Sequence, residues 1–138
     1  MKTAFIIIDV QNILVETGFE TEKLVEKIAY LQDQARKQQI EIIYIQHIET
    51  PEALTSEDWQ LSPLLKRQEN EKVFQKRYNS MFKETGLKEY LDQQGIEQLV
   101  LCGMQTEYCV DTSIKVGFEY GYKLVIPEGA VTTFDGED

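Results

Sequence analysis

Histidine, cysteine and basic residues are scarce in this sequence of 138 residues. It has one histidine, two cysteines, and 14 lysine or arginine residues against 24 acidic ones, which gives a formal net charge of −10. Two cysteines on different segments imply no disulfide framework, and one histidine cannot supply a histidine-rich metal site. The basic residues occur singly or in pairs, so we expect no surface for nucleic acid or for an anionic membrane.

Long apolar segments and glycine-rich phosphate loops are also missing. The apolar N-terminus is interrupted by Asp9, which leaves it too short for a secretory signal or a membrane span. No Gly-x-Gly-x-x-Gly follows the first apolar run and there is no P-loop, so a nucleotide cofactor lacks its usual support. We therefore expect a cytoplasmic protein of one domain that uses no cofactor.

What the sequence does contain is an alternation of strand-like and helix-like segments. Short apolar runs rich in β-branched residues are typical of buried parallel strands, and apolar residues at helical spacing predict amphipathic helices. The predicted strands are 4–8, 40–45, 71–76, 98–102 and 124–126. The predicted helices are 21–38, 84–94 and 111–120. This order predicts an α/β fold: a doubly wound, mainly parallel sheet with helices on both faces.

The segment from Gly103 to Val110 is the candidate centre of the protein. It links a predicted strand to a predicted helix, so Cys109 is expected at or near the first helical turn. Unpaired backbone N–H groups and the positive helix end favour a thiolate there, and the thiolate is the nucleophilic form of cysteine. We therefore interpret Cys109 as a catalytic nucleophile, whereas Cys102, inside an apolar strand, is expected to be inert.

Four other side chains are candidates, and each has an ordinary alternative. Asp9 ends the first strand, where open α/β sheets place their active sites, but it equally fits an Asp that begins a loop. His47, the lone histidine, fits packing or pocket lining better than direct catalysis. Trp59, in the long polar segment 49–62, either lines a pocket or packs that segment down. Composition alone makes Lys76 a solvated surface lysine.

Three short motifs together resemble the isochorismatase-like cysteine hydrolases, a family that includes nicotinamidases and N-carbamoylsarcosine amidases. The resemblance covers nearly the whole chain, and the order of the motifs makes it specific. The family patterns are a strand ending in Asp-x-Gln-Asn, a Lys followed by Ser-x-Phe and Thr-x-Leu, and Gly-x-x-Thr-x-x-Cys-Val. The matching residues here are Asp9, Gln11 and Asn12, then Lys76, Ser80, Phe82, Thr85 and Leu87, then Gly103, Thr106, Cys109 and Val110.

The resemblance implies a Rossmann-like fold and hydrolysis of the C–N bond of a small amide or carbamoyl compound through a thioester. In that scheme Asp9 moves protons and Lys76 holds Cys109 as a thiolate. The backbone N–H groups of Gln105 and Cys109 form the oxyanion hole, and a cis peptide joins Met104 to Gln105. The alternatives are vinyl-ether hydrolysis of the isochorismatase type and a non-enzymatic redox-sensing or interaction role.

The resemblance also bears on the substrate pocket and on metals. Nicotinamidases usually add an Asp and two His as metal ligands, and this chain has only His47, so we expect no metal. The candidates for contact with the substrate are Asn12, His47, Trp59, Phe82 and Tyr108.

The resemblance further implies something about extent and assembly. Members of the family usually continue with another helix and strand, so residues 1–138 are expected to be one domain that is incomplete at its C-terminus. An apolar surface left uncovered in this way would favour a homo-oligomer, a dimer or larger.

Overall fold

The computed structural model describes residues 1–17, 21–104 and 106–132, and its centre is a six-stranded sheet. The strands are β1 Thr3–Ile8, β2 Glu41–His47, β3 Lys72–Lys76, β4 Gln98–Met104, β5 Lys123–Val125 and β6 Val131–Thr132. Five of them lie in the order β3-β2-β1-β4-β5. The short strand β6 pairs with the last two residues of β4, farther along β4 than the part that pairs with β5. Every pair is parallel. The predicted parallel sheet is thus confirmed.

Helices cover both faces of this sheet. They are α1 Asn12–Thr17, α2 Thr21–Lys37, α3 Leu87–Gln93 and α4 Asp111–Glu119, and a π-helical turn, Thr106–Val110, leads directly into α4. The apolar side of α2, with Leu24 and Ile28, packs on one face of the sheet in a core that includes Ile7. The other core joins Leu91 of α3 to Ile6 on the opposite face. Successive strand residues point to opposite faces, so a continuous apolar strand such as β1 needs cover on both.

Short elements account for the differences from the sequence prediction. Helix α1, strand β6 and the π-helical turn are too brief for their apolar spacing to identify them. The long segment after β2 contains three 3₁₀ turns, at Pro51–Leu54, Glu57–Trp59 and Pro63–Leu65. Each is only three or four residues long, the usual length for such turns.

The strand register brings the ends of β1, β2, β3 and β4 to one edge of the sheet. Ile8 pairs with Ile45 and with Gly103, and His47 pairs with Lys76. A Cβ at Gly103 would lie 2.0 Å from the carbonyl oxygen of Ile8, so only glycine permits this close approach at the end of β4. The carboxyl edge, where α/β sheets bind ligands, therefore gathers most of the candidate residues.

Two features of the surface bear on the remaining expectations. No helix among the described residues is long and apolar enough to cross a membrane. Several large apolar side chains of α4 and the segment after it are exposed, namely Phe118, Tyr120, Val125 and Ile126. Self-association stays a prediction.

Candidate active site

Asp9 sits in the turn that follows β1 and is almost completely buried. Its φ of 54° lies in the left-handed region, which Asp and Asn tolerate better than most residues. The turn is held by a hydrogen bond of 2.9 Å from the Asp9 N–H to the carbonyl of Ile45 on β2. Asp9 therefore turns its carboxyl group into the carboxyl edge of the sheet instead of continuing the strand.

Lys76 is the last residue of β3. It lies in the interior of the protein, whereas the composition of the sequence alone indicated a solvated surface lysine. Its side chain is fully buried, and its Nζ lies 3.1 Å from Oδ2 of Asp9 and 3.0 Å from Sγ of Cys109. It also lies 2.9 Å from the carbonyl oxygen of Tyr78 and 3.1 Å from Nδ1 of His47. A buried ammonium is stable only when such partners replace water, and here four acceptors do so.

Cys109 belongs to the π-helical turn before α4 and is partly buried. Its Sγ lies within 4.8 Å of a carboxylate oxygen of Asp9, and 3.9 Å from Oδ1 of Asn79. The structure thus brings Asp9, Lys76 and Cys109 together although 100 positions separate the first from the last. The proximity expected from the sequence is present, and the catalytic roles stay predictions.

The protonation state of Cys109 differs from the thiolate that its position near the start of a helix predicts. Burial and the neighbouring Asp9 carboxylate raise the pKa of Cys109 to about 12, and Lys76 only partly counters them. Burial also raises the pKa of Asp9 above its usual range, while Lys76 and Cys109 pull it down. Asp9 and Cys109 therefore compete for one proton beside a fixed positive charge. The sulfur rests as a thiol, and a thiolate forms when Asp9 takes that proton.

A pocket of about 200 Å³ opens onto Cys109. Its lining includes three of the five residues predicted to contact the substrate: His47, Trp59 and Tyr108. It also includes three side chains that sequence reasoning missed, namely Leu14, Glu49 and Asn79. None of these three carries a chemical signal in isolation, although Glu49 lies two residues beyond the end of β2 and Asn79 three residues beyond the end of β3.

The other two predicted contact residues lie outside this lining. Asn12 begins α1 and its Nδ2 donates to the carbonyl of Glu57 at 2.8 Å, which fixes the segment after β2. Phe82 is buried in the core, where its ring stacks on Tyr122 at 6.1 Å between centroids and meets Tyr120 edge-on at 5.2 Å. The amide of Asn12 and the ring of Phe82 therefore already contact neighbouring groups, and their contact with the substrate stays a prediction.

Gln11 is a further site residue whose role the sequence did not reveal. Its side chain is fully buried and bridges two segments: Nε2 donates to the His47 carbonyl at 3.0 Å, and Oε1 accepts from the His47 N–H at 2.8 Å. Nε2 also donates to the carbonyl of Trp59. One amide therefore ties the ends of β1 and β2 to the wall of the pocket.

The predicted oxyanion hole falls partly outside the described residues. Met104 is buried at the end of β4. Gln105, its N–H group and its peptide bond to Met104 lie outside the part of the chain that the structure describes, so the oxyanion hole and the cis peptide stay predictions.

A larger depression, about 890 Å³, lies at the opposite edge of the sheet. It is lined partly by Arg36, Glu71 and Tyr90. Arg36 and Glu71 are paired at 2.9 Å, and the hydroxyl of Tyr90 donates to Glu41. Because these groups are already paired, and because the nucleophile lies at the other edge, we place the candidate site at the smaller pocket.

Three side chains at the site could together hold a metal ion. Ligand atoms of Asp9, His47 and Cys109 all lie within 4.8 Å of one another. The Nζ of Lys76 contacts all three residues at 3.0–3.1 Å, so the protein's own cation stands among these ligand atoms. A metal could bind them only by displacing that ammonium, because metal–ligand bonds are about 2.0–2.3 Å long.

Comparisons with known proteins agree on one family. The family model described as an isochorismatase domain matches residues 3–138. The uncharacterised isochorismatase family protein YddQ of Bacillus subtilis is 28% identical over 142 residues, covering 96% of this chain and 79% of that protein. Streptothricin hydrolase of Streptomyces noursei is 28% identical over 138 residues, covering 96% of this chain, which spans 50% of that relative's length. The crystal structure of an isochorismatase from Pseudomonas putida KT2440 matches with a TM-score of 0.89 and 31% identity, covering 95% of this chain and 71% of that chain.

Proposed function

This chain belongs to the isochorismatase family of hydrolases, and from that premise we propose that it cleaves the C–N bond of a small amide or carbamoyl compound through a thioester on Cys109. The observation that carries the proposal is the contact of one buried ammonium, Lys76, with both the thiol and a buried carboxyl group. A nucleophile beside a base, both oriented by a third group, is the usual arrangement for covalent catalysis. The name of the relative streptothricin hydrolase adds support for hydrolysis.

The first half of the reaction acylates the enzyme. Asp9 takes the proton of Cys109, and Lys76 stabilises the thiolate that forms. Sulfur attacks the substrate carbonyl, and the C–S bond forms as the carbonyl electron pair moves to oxygen. The N–H groups of Gln105 and Cys109 are the proposed donors to that oxyanion, worth about 3 kcal/mol each in comparable sites. When the intermediate collapses, the C–N bond breaks and protonated Asp9 gives its proton to the leaving amine.

The second half restores the enzyme. A water molecule attacks the thioester carbonyl while Asp9 accepts a proton from it. The C–S bond then breaks, the acid product leaves, and the sulfur regains a proton from Asp9. The raised pKa of Asp9 suits this exchange, because a carboxylate with increased proton affinity can accept a proton from Cys109 or from water and later return it.

Ammonia release from a panel of small primary amides and carbamoyl compounds tests the proposal. We expect turnover by the wild-type protein, none by Cys109→Ala, and retained turnover by Cys102→Ala, since Cys102 is fully buried away from the pocket. Mass spectrometry of the intact protein during turnover should detect an acyl adduct that hydroxylamine removes.

Two outcomes would overturn the proposal. Ammonia release by Cys109→Ala would exclude the thioester route. Absence of turnover across the panel, with an oxidant-sensitive Cys109, would instead favour a redox-sensing role.

A further inference from the structure

We infer, on the basis of the proposed function, that the pocket selects amides bearing a positively charged amino group and that Glu49 recognises this charge. The lining of the pocket contains two acidic residues, Asp9 and Glu49, and no lysine or arginine among the described residues. Asp9 is already paired with Lys76. The charge that is left to act on a substrate is that of Glu49.

Lys76 does not reverse this balance, because its hydrogen-bonding capacity is used. An ammonium has three N–H donors. The Nζ of Lys76 has four acceptors within 3.1 Å: Asp9 Oδ2, His47 Nδ1, the Tyr78 carbonyl and Cys109 Sγ. No donor is left for a substrate carboxylate. The ammonium therefore serves the catalytic groups, its charge is balanced by Asp9, and it offers a substrate carboxylate no hydrogen bond.

The same ammonium contacts His47, and His47 lies beside Glu49. Lys76 can only donate, so His47 Nδ1 must accept, and the proton of the neutral ring is then on Nε2. That Nε2 lies 3.3 Å from Oε1 of Glu49, which places the carboxylate beside the histidine ring. Because the Glu49 side chain is 69% exposed, its acceptor sites are available at the mouth of the pocket.

The walls of the pocket also suit a cation. Trp59 and Tyr108 both line it, and the faces of aromatic rings attract ammonium groups. A substrate carboxylate would meet the negative charge of Glu49, and no lysine or arginine among the described lining residues would offset it. Compounds with carboxylates, such as the dianion isochorismate, are therefore expected to be poor substrates.

Three primary amides of matched length test the inference: 5-aminopentanamide, hexanamide and adipamate, which end in an ammonium, a methyl and a carboxylate group. We expect kcat/KM to fall in that order, with up to about a fivefold preference for the cation over the methyl compound, the size of one exposed ion pair. Glu49→Gln should bring the cation-to-methyl ratio close to one. The matched control is Glu52→Gln, which removes an exposed carboxylate outside the lining and should leave the ratio unchanged.

Binding is measured separately, so that the specificity and the proposed function can fail independently. Trp59 is the only tryptophan and lines the pocket, so its fluorescence reports occupancy. In Cys109→Ala, which cannot form the thioester, 5-aminopentanamide should bind more tightly than hexanamide. Preferential binding without turnover by the wild-type protein would keep the inference and overturn the proposed function. Turnover with equal ratios, or no difference in binding, would overturn the inference.

Discussion

A buried carboxyl group lies beside a basic side chain at each end of strand β3. The two carboxyl groups differ in how many hydrogen bonds they accept. Glu71, just before the strand, accepts from Nε and Nη2 of Arg36 at 3.0 and 2.9 Å, from the Tyr44 hydroxyl at 2.8 Å and from the Gln68 N–H at 3.0 Å. Asp9, beside the last residue of the strand, pairs through Oδ2 with Lys76, and its Oδ1 has no partner among the described residues.

The pKa values of the two carboxyl groups follow this difference. Burial would raise the pKa of Glu71, but hydrogen bonds from Arg36, Gln68 and Tyr44 outweigh burial and lower it. Burial raises the pKa of Asp9, and Lys76 does not compensate. A fully satisfied carboxylate stabilises a fold, whereas an under-satisfied one retains affinity for a proton. The comparison therefore separates a structural end of the strand from a chemical one.

The largest expected effect is the loss of kcat/KM when Asp9 is replaced by its isosteric amide. The matching replacement of Glu71 is the comparison. Asp9→Asn should lower kcat/KM for amide hydrolysis by about 10³-fold, the usual contribution of a general acid–base group. Asn tolerates the left-handed backbone at this position, so the turn should persist. Glu71→Gln should leave kcat/KM nearly unchanged. Ammonia-release kinetics measure both, and an active Asp9→Asn variant would remove the basis of the comparison.

Glu71→Gln should instead affect stability. The amide cannot accept all four hydrogen bonds and leaves Arg36 without a counter-charge, so we expect a loss of about 2 kcal/mol in the free energy of unfolding, a value reduced for the partial exposure of Arg36. Urea denaturation measures it. Glu69→Gln, which changes an exposed carboxylate on the same loop, is the control and should have little effect. Equal effects of the two substitutions would show that the network at Glu71 does not stabilise the fold.

The sequence predicted the fold through its continuous apolar strands. The side chains of a run such as 4–8 point to both faces of the sheet, so both faces must be covered by other elements. It predicted Asp9 and Cys109 because each follows such a strand at the edge where parallel strands end. Composition alone misassigned Lys76: the burial of a lysine depends on partners that other segments supply, here Asp9 and Cys109. The resemblance to a family corrected that assignment before the structure did.

The pocket was less predictable than the groups beside the sulfur. Phe82 and Asn12 were chosen by residue type, and their side chains turned out to be engaged elsewhere. Glu49 and Asn79 lie on irregular backbone after β2 and β3, where no periodicity indicates which way a side chain points. The pKa of Cys109 was also beyond sequence reasoning, because it depends on burial and on the distance to Asp9.

Thiol alkylation sharpens the comparison at the chemical end. Cys109 should react with iodoacetamide at neutral pH far faster than Cys102, whose pKa burial raises well above its usual value. Because the Asp9 carboxylate contributes to the raised pKa of Cys109, Asp9→Asn should make Cys109 react up to about tenfold faster, one pKa unit, although the same substitution lowers kcat/KM. Peptide mass mapping gives both rates. Slower alkylation in Asp9→Asn would mean that Asp9 acts only as a base toward the thiol.

Ionisation of the carboxyl groups at the two ends of β3 should change the free energy of unfolding in opposite directions. Ionised Glu71 stabilises the fold, and ionised Asp9 destabilises it. Glu71 has a lowered pKa, so its contribution is present above the ordinary value of 4.5 and is lost as pH falls through its folded pKa. Asp9 has a raised pKa, so its ionisation reduces stability as pH rises above 3.8. Urea denaturation between acid and neutral pH should show the cost of Glu71→Gln shrinking toward acid. Over the same range, Asp9→Asn should gain stability relative to wild type as pH rises, and parallel profiles would contradict the contrast.

Removing metal ions should have the smallest effect, namely none on amide hydrolysis. The Asp9, His47 and Cys109 side chains could bind a thiophilic metal, but Lys76 Nζ lies 3.0–3.1 Å from all three, and bonds of about 2.0–2.3 Å would require its place. Extended EDTA treatment should therefore leave ammonia release unchanged. Lys76→Ala should vacate that place, so cobalt should bind to this variant with thiolate-to-cobalt absorption and not to the wild-type protein. If EDTA instead abolishes wild-type turnover and zinc restores it, the ammonium at this end of β3 does not exclude a metal and the thioester route must be revised.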